Sequence, residues 1–171
     1  MALDYTDSLA SIRILIGDTA TPYDLADGTI TNVIDRQSHS VFQSSLVKAH
    51  SSGKVYRALT GNWLEATIYD ADDVEVSPST SNLTKGFWKF STEQDTLYID
   101  GTFTNIYLAS AECITVLIAK LRSEYDFSTE EGTFNRNQRI ETLKEMRTMY
   151  LQQSVAYSVG NDYPAKGEMV Y

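Results

Sequence analysis

The sequence contains few of the residues that form disulfides, bind metals or rigidify loops, with one cysteine, two histidines and three prolines in 171 residues. A single cysteine excludes an intramolecular disulfide, and the isolated histidines match no zinc-ligand spacing. A hydrophobic content of 42% is nevertheless enough to bury a core without covalent or metal support. We therefore expect no metal and no cofactor, in a protein made in a reducing cytoplasm.

Long apolar runs are also missing. The longest mostly apolar stretch, Cys113–Ala119, is far too short to cross a bilayer. The first residues, Met1–Tyr5, carry an acid and no basic or apolar region of the kind that opens a signal peptide. These two features predict a protein that does not enter a membrane.

Basic residues are also scarce. The chain contains 14 Lys and Arg and 23 Asp and Glu, which gives a net charge of −9. The stretch 65–100 alone contains eight acids and two bases. Neutralising nucleic-acid phosphates requires clustered Lys and Arg. A net-acidic chain without a basic stripe is therefore a poor candidate for a protein that grips DNA.

Helical patterns lie at both ends of the chain. We predict helices over 8–16, 29–42, 107–126 and 135–153 from apolar residues at helical spacing. Gly17 supplies the end of the first helix, since glycine adopts positive φ at no steric cost.

Strand patterns fill the middle, from about 55 to 103. Leu64, Ala66 and Ile68 alternate with more polar residues, and two further apolar segments follow, which together predict one small antiparallel sheet of three or four strands. The aromatic residues of this region could form the core of the sheet or face a partner, and the sequence leaves both open. They are Trp63, Phe87, Trp88, Phe90, Tyr98 and Phe103.

An acidic cluster stands between two of the predicted strands. Its members are Asp70, Asp72, Asp73 and Glu75. A calcium loop of the EF-hand type needs glycine at its sixth position and glutamate at its twelfth, but those positions hold Glu75 and Ser81. We therefore interpret the cluster as a solvated hairpin tip.

No catalytic constellation is recognisable. The sequence lacks a Gly-x-Ser-x-Gly motif, and neither His39 nor His50 belongs to a known catalytic pattern. Cys113 lies beside the apolar face of a predicted helix, which favours a small core residue over a nucleophile. We predict that the protein is not an enzyme and has no catalytic residues.

The segment 155–171 is unusually apolar for a free tail, while its glycines and proline forbid one continuous helix. We predict an extended arm that docks on a neighbouring subunit or partner. Its candidate docking residues are Tyr157, Val159, Tyr163, Pro164, Met169, Val170 and Tyr171.

Two segments resemble the head-to-tail adaptor (connector) proteins of tailed bacteriophages. The first, Ile12–Thr19, reads IRILIGDT and is similar to the short helix and Gly-Asp turn that open many members. The second, Leu121–Arg139, is similar to the family pattern of a helix, Tyr/Phe-Asp-Phe-Ser, Gly-x-Ser-Phe-x-Arg-Ser-Gln and a last helix, with Asn135 and Asn137 as helix-capping replacements for serine. Its motif residues are Tyr125, Asp126, Phe127, Phe134, Arg136 and Gln138.

The resemblance implies a homo-oligomeric ring, commonly of twelve copies, in the neck of the virion between the portal protein and the tail or stopper protein. It implies that the C-terminal arm reaches the portal. It implies that the Tyr125–Arg139 block turns the chain between two helices, with Asp126 paired to Arg136 or Arg139. From charge, we expect the acidic hairpin to face the channel, where DNA passes without specific binding.

The predicted fold is α+β, mainly a bundle of about four helices with a small antiparallel β insertion between helices 2 and 3. The predicted adaptor domain covers 1–154 and the arm covers 155–171. The alternatives are another neck protein, such as a stopper or tail terminator, and a small acidic cellular binding module. A third, an enzyme with an unrecognised site, would need a pocket of perturbed titratable groups.

Overall fold

The computed structural model describes residues 3, 5–21, 24–123 and 130–159. Within them the chain forms four helices and seven strands. The helices are α1 (Thr6–Ile16), α2 (Asp27–Arg36), α3 (Ile106–Ser123) and α4 (Glu130–Val159). The strands are β1 (Ser38–Ser45), β2 (Val47–Lys48), β3 (Val55–Arg57), β4 (Trp63–Tyr69), β5 (Thr80–Asn82), β6 (Phe87–Lys89) and β7 (Tyr98–Thr104).

The chain divides into two compact units, each described by itself below. The β unit contains all seven strands, over Ser38–Thr104. The helical unit contains Leu9–Gln37 and Asn105–Ala156. The β unit therefore enters the sequence between α2 and α3, as predicted.

The predicted mainly helical bundle with one small β insertion is wrong. The strands form two antiparallel sheets, one of three strands in the order β1-β7-β4 and one of four in the order β2-β3-β6-β5. The physical reason is that residues 38–48, which lie before the predicted strand region, provide the two additional strands β1 and β2. Strands β6 and β7 were expected to belong to one sheet, but β7 lies in the three-stranded sheet and β6 in the four-stranded sheet.

The helix predicted over 29–42 ends at Arg36. Its last turn closes when the Gln37 N–H donates to the carbonyls of Val33 and Ile34, both at 3.1 Å. The following SHSVFQSS segment has weak helix propensity and pairs with β7 instead. Beyond Arg36 the helical pattern consisted of a single apolar residue, Val41. Hydrogen bonding to β7 therefore decides the structure of this segment.

The two sheets share one core. Ten buried residues contribute to it: Leu46, Tyr56, Ala58, Trp63, Ile68, Trp88, Phe90, Leu97, Ile99 and Phe103. Trp63 packs edge-on against Trp88 at 5.9 Å and against Phe103 at 5.5 Å between ring centroids. The question that the sequence left open is thus settled for most of the aromatic residues, which belong to the core.

Two connections hold the sheets around this core. Leu46 lies between β1 and β2, where one extended segment passes from the three-stranded to the four-stranded sheet, and its N–H donates to Leu97 O at 2.9 Å. Between β6 and β7 the chain crosses back, and the buried Tyr56 hydroxyl donates to Gln94 O at 2.5 Å and Asp95 O at 2.9 Å. Burial raises the pKa of this hydroxyl, so it remains a donor.

In the helical unit, α1, α2 and α3 bury one apolar stripe each. The buried residues include Ile12, Ile16, Ile30, Val33, Ile34, Ile114 and Leu117. The Tyr150 hydroxyl of α4 donates to Leu15 O at 2.7 Å, and the Tyr150 ring stacks on Tyr107 at 6.2 Å. Helix α1 and helix α3 agree with the predicted 8–16 and 107–126 as far as the described residues extend.

Two glycines of the β unit have nearly the same left-handed backbone but different surroundings. At Gly86 (φ +60°) a Cβ would lie 2.0 Å from the Thr60 carbonyl oxygen, whereas at Gly53 (φ +61°) it would meet the flexible Glu93 side chain. We expect Gly53→Ala to cost about 1–2 kcal/mol, the strain of a left-handed alanine. Gly86→Ala should cost about 1–3 kcal/mol more, since a backbone carbonyl must move.

Urea unfolding followed by tryptophan fluorescence measures both costs, because Trp63 and Trp88 lie in this core. Equal destabilisation by the two substitutions would contradict the close approach of Gly86 to Thr60.

Candidate interaction surface

The outer face of the three-stranded sheet is polar. Ile99 and Phe103 of β7 point into the core, so Asp100 and Thr102 point outward. Thr102 lies in register with Ser40 and Glu65. Its hydroxyl donates to Glu65 Oε1 at 3.2 Å and lies 3.4 Å from Ser40 Oγ, so one polar row crosses all three strands.

A β-bulge on the same face exposes a large apolar side chain. The register of β1 shifts between Val41 and Ser44, and Gln43 adopts φ +47°. The Gln43 N–H donates to Asp100 Oδ1 at 2.6 Å, which holds the bulge. Phe42 is consequently 76% exposed.

Phe42 forms one wall of a groove of about 260 Å³. The groove is lined by Ser40, Val41, Phe42, Glu65, Thr67, Asp100, Gly101 and Thr102. It combines one aromatic ring with two carboxylates and several hydroxyls. Such a lining suits contact with a protein surface that carries a cation beside an apolar group.

The predicted acidic hairpin is confirmed as a turn that follows β4. Asp70 Oδ1 accepts the N–H groups of Asp72 at 2.9 Å and Val74 at 3.0 Å. Asp73 adopts φ +62° and accepts a hydrogen bond from Gln43 Nε2 at 3.2 Å. Asp72 and Glu75 are exposed, so the hairpin presents charge to solvent while Asp70 shapes it.

The hairpin and the sheet face therefore form one surface, which we call the acidic face. Its six acids are Glu65, Asp70, Asp72, Asp73, Glu75 and Asp100, and the segments that form it contain no Lys or Arg (38–45, 63–76 and 98–104). Hydrogen bonds of Gln43 to Asp73 and Asp100 connect the hairpin to the sheet.

The predicted helix corner is only partly within the described residues. Tyr125, Asp126 and Phe127 lie outside them. Helix α4 begins at Glu130, so Phe134, Arg136 and the predicted cap Asn135 lie inside the helix, and the capping prediction is wrong. The helix starts five residues early because nothing in EEGTF forbids it, a single glycine costing only about 1 kcal/mol.

Two further corner residues can be placed. Gln138 is exposed on α4. Arg139, predicted to pair with Asp126, forms an ion pair with Asp24, and Lys120 Nζ donates to Asp24 O at 2.7 Å. The basic residues of α3 and α4 thus hold the loop before α2.

Helix α4 extends into the segment predicted as an arm. It continues to Val159, so positions Tyr157 and Val159 belong to the helix and not to an extended segment. Residues 133–159 contain no glycine or proline, which explains why the helix continues. Tyr163, Pro164, Met169, Val170 and Tyr171 lie outside the described residues.

The first family-like segment, Ile12–Thr19, has a structural explanation. Gly17 adopts φ +73°, and the Asp18 N–H donates to Arg13 O at 2.9 Å, which ends α1 in the expected left-handed turn. The side chains of Arg13 and Asp18 then meet, with Arg13 Nη1 donating to Asp18 Oδ2 at 2.6 Å. Each residue is only 5% exposed.

This buried pair organises the loop that leads to α2. Asp18 accepts the N–H groups of Asp24 at 2.8 Å and Leu25 at 3.0 Å. Arg13 Nη2 donates to Leu25 O at 2.9 Å and also pairs with Asp27. The segment therefore acts as a scaffold that joins α1 to α2.

The described residues contain no obvious reactive centre. Cys113 is fully buried, as predicted, and burial raises the pKa of its thiol to about 12. No group of three or more His, Cys, Asp or Glu within the described part of the chain is placed to hold a metal ion. Among the described helices, none is long and apolar enough to cross a membrane.

The sequence does not predict the exposed Phe42, because the helix predicted over 29–42 includes it, and it does not predict the bulge at Gln43 that follows. A signal was present, since four serines around a Val-Phe pair favour an extended segment. The bulge itself has no signature, because it depends on the partner strand.

In comparisons with known proteins, no family model, no curated protein and no solved structure matches the chain.

The buried pair supports a stability prediction. Asp18→Ala leaves the Arg13 guanidinium buried without its main counter-charge and should cost about 3–5 kcal/mol. Glu141→Ala removes an exposed partner of Lys144 and should cost less than about 1 kcal/mol. Urea unfolding monitored by far-UV circular dichroism compares the two, and similar small costs would contradict the scaffold role of Asp18.

Proposed function

We propose that this chain is a structural protein of a tailed-bacteriophage virion, a head-to-tail adaptor that forms a ring in the neck, between the portal protein and the tail or stopper. The observation that carries the proposal is the acidic face, where six acids without a base lie beside the exposed Phe42. Exposed aromatic residues are typical of contact surfaces, and charge of one sign beside them orients a partner of opposite charge.

The resemblance supplies the specific role. The Ile12–Thr19 segment, similar to the opening of the adaptor family, is a scaffold of buried hydrogen bonds with no reactive group exposed. A motif that fixes a helix turn favours a mechanical protein over an enzyme. Assembly by such proteins draws on buried apolar area and preorganised docking.

The acidic hairpin suggests how DNA passes. Duplex DNA carries one negative charge per about 1.7 Å of helix axis, so a channel lined by carboxylates repels the phosphates and offers no binding site. The exposed Asp72 and Glu75 suit this role best. Asp70 and Asp73 are less free to respond, because each accepts a hydrogen bond within the β unit.

A second candidate is another neck-completion protein, such as a stopper. The observation that favours it is the strand content, since two sheets replace the expected single small one. The two candidates differ in position, because an adaptor touches the portal and a stopper lies further toward the tail.

Imaging of the neck of a particle that contains this chain distinguishes these candidates. The adaptor proposal expects a closed ring in contact with the portal. A ring separated from the portal by another protein would support the stopper, and absence of the chain from the neck would overturn both.

The channel role makes a prediction about charge. Asp72→Lys with Glu75→Lys should slow DNA ejection from assembled particles, because the added cations attract phosphates, and the slowing should weaken as salt increases. Glu141→Lys with Glu145→Lys is the matched control, an equal charge change on exposed residues of α4. Ejection at the wild-type rate by the hairpin variant would contradict a channel position.

The arm makes a prediction about assembly. A chain that ends at Val159 retains α4 and should unfold like the full chain, yet it should fail to enter particles if residues 160–171 dock on the portal. Quantification of the chain in purified particles, with circular dichroism of the truncated protein as the folding control, checks this. Normal incorporation of the truncated chain would show that the arm is dispensable.

A further inference from the structure

The outer face of the four-stranded sheet has the opposite chemistry to the acidic face. Tyr56 and Trp88 point into the core, so their neighbours along β3 and β6 point outward. The register places Arg57 beside Val47 and Phe87.

A second outward row lies one step along the sheet, where Lys89 is in register with Val55 and Thr80. Strands β2, β3, β5 and β6 contain three bases and no acid. We call the outward surface around Arg57 and Lys89 the basic face.

The basic face also exposes apolar area. Val47 is 41% exposed and Phe87 is 38% exposed, on either side of Arg57. Neither Arg57 nor Lys89 forms an ion pair with any residue in the described part of the chain. Both cations are therefore available to a partner.

The two faces point in opposite directions. Both sheets pack on the same ten-residue core, so the outer face of one lies on the far side of the unit from the outer face of the other. One β unit thus presents carboxylates with Phe42 on one side and cations with Val47 and Phe87 on the other.

We propose that copies of this chain associate through these two faces, the basic face of one copy against the groove beside Phe42 on the acidic face of the next, with Asp72 and Glu75 of the hairpin outside the contact. The inference rests on the proposed ring and identifies the surface that would form it. Such a contact is heterologous, because two different surfaces meet, and repetition of a heterologous contact closes a ring when the rotation permits.

The chemistry of the groove indicates what the contact would contain. A guanidinium or ammonium group placed between Glu65 and Asp100 gains two counter-charges, and the neighbouring Phe42 ring favours a cation on its face. Arg57 and Lys89 provide such groups. Burial of Val47 and Phe87 would add the apolar area that a stable interface needs.

A second copy fits these faces better than DNA does. Two cations flanked by exposed Val47 and Phe87 offer little to a phosphate backbone, which is bound by clustered bases. Each β unit also carries both an acidic and a basic face, so a second copy supplies the opposite charge that each face needs.

The test is a charge swap in the full-length protein, followed by sedimentation velocity over a range of protein and salt concentrations. Arg57→Glu with Lys89→Glu makes both faces acidic. Glu65→Lys with Thr67→Lys gives the groove beside Phe42 two bases and one acid in place of its two acids, while Asp100, which holds the bulge, stays unchanged. Each variant alone should associate more than about tenfold more weakly than the wild type, because like charges then meet.

An equal mixture of the two variants should regain association, because every contact between unlike copies again joins opposite charges. Arg122→Glu with Lys144→Glu, exposed bases of the helical unit, is the matched control and should leave association unchanged. Circular dichroism checks that each variant is folded. Wild-type association should weaken as salt increases.

The inference is overturned if the wild type stays monomeric at every concentration, if either variant associates as the wild type does, or if the mixture gains nothing. Its failure is distinguishable from that of the proposed function. A ring seen in the neck although the charge swap has no effect means that other surfaces form the ring. If the charge swap changes association as expected but the chain is absent from the neck, the two faces form the contact and the adaptor role is wrong.

Discussion

The β unit depends on the packing of one tryptophan between its two sheets. The Trp63 ring contacts Trp88 of the four-stranded sheet and Phe103 of the three-stranded sheet, while its Nε1 donates to Thr60 O at 3.0 Å. A ring of this size fits only because the positions around it are small. A Cβ on Gly101 would lie 3.1 Å from the ring, and one on Gly86 would lie 3.2 Å from Nε1.

This packing also explains why the functional surfaces are where they are. Once Ile68, Ile99 and Phe103 occupy the core, strand alternation directs Glu65, Asp100 and Thr102 outward, with a register shift between Trp63 and Glu65 that lets Trp63 also face the core. The same rule, applied to Tyr56 and Trp88, directs Arg57 and Phe87 outward on the other sheet. The charge separation of the β unit is therefore a consequence of its core, and a one-residue register slip would reverse it.

The helical unit depends on a different kind of constraint, a buried ion pair that also forms hydrogen bonds with the loop backbone. Arg13 and Asp18 satisfy loop groups at Asp24 and Leu25, so the desolvation of both charges is offset by several hydrogen bonds. Such a network specifies one loop conformation. This requirement for one loop conformation gives a physical reason for the sequence of Ile12–Thr19, the segment that resembles the adaptor family.

The sequence by itself determined the elements whose signals are local. Helices α1 and α3, the alternating strand β4, the turn at Asp70–Asp73, the left-handed Gly17 and the burial of Cys113 all follow from spacing, caps and turn chemistry within a few residues. Only the tertiary structure decided that 38–45 is a strand, that the strands form two sheets, and that a bulge exposes Phe42. Those outcomes depend on hydrogen bonds and packing between residues more than fifty positions apart, such as Gln43 and Asp100, and no local pattern encodes which distant strand will be the partner.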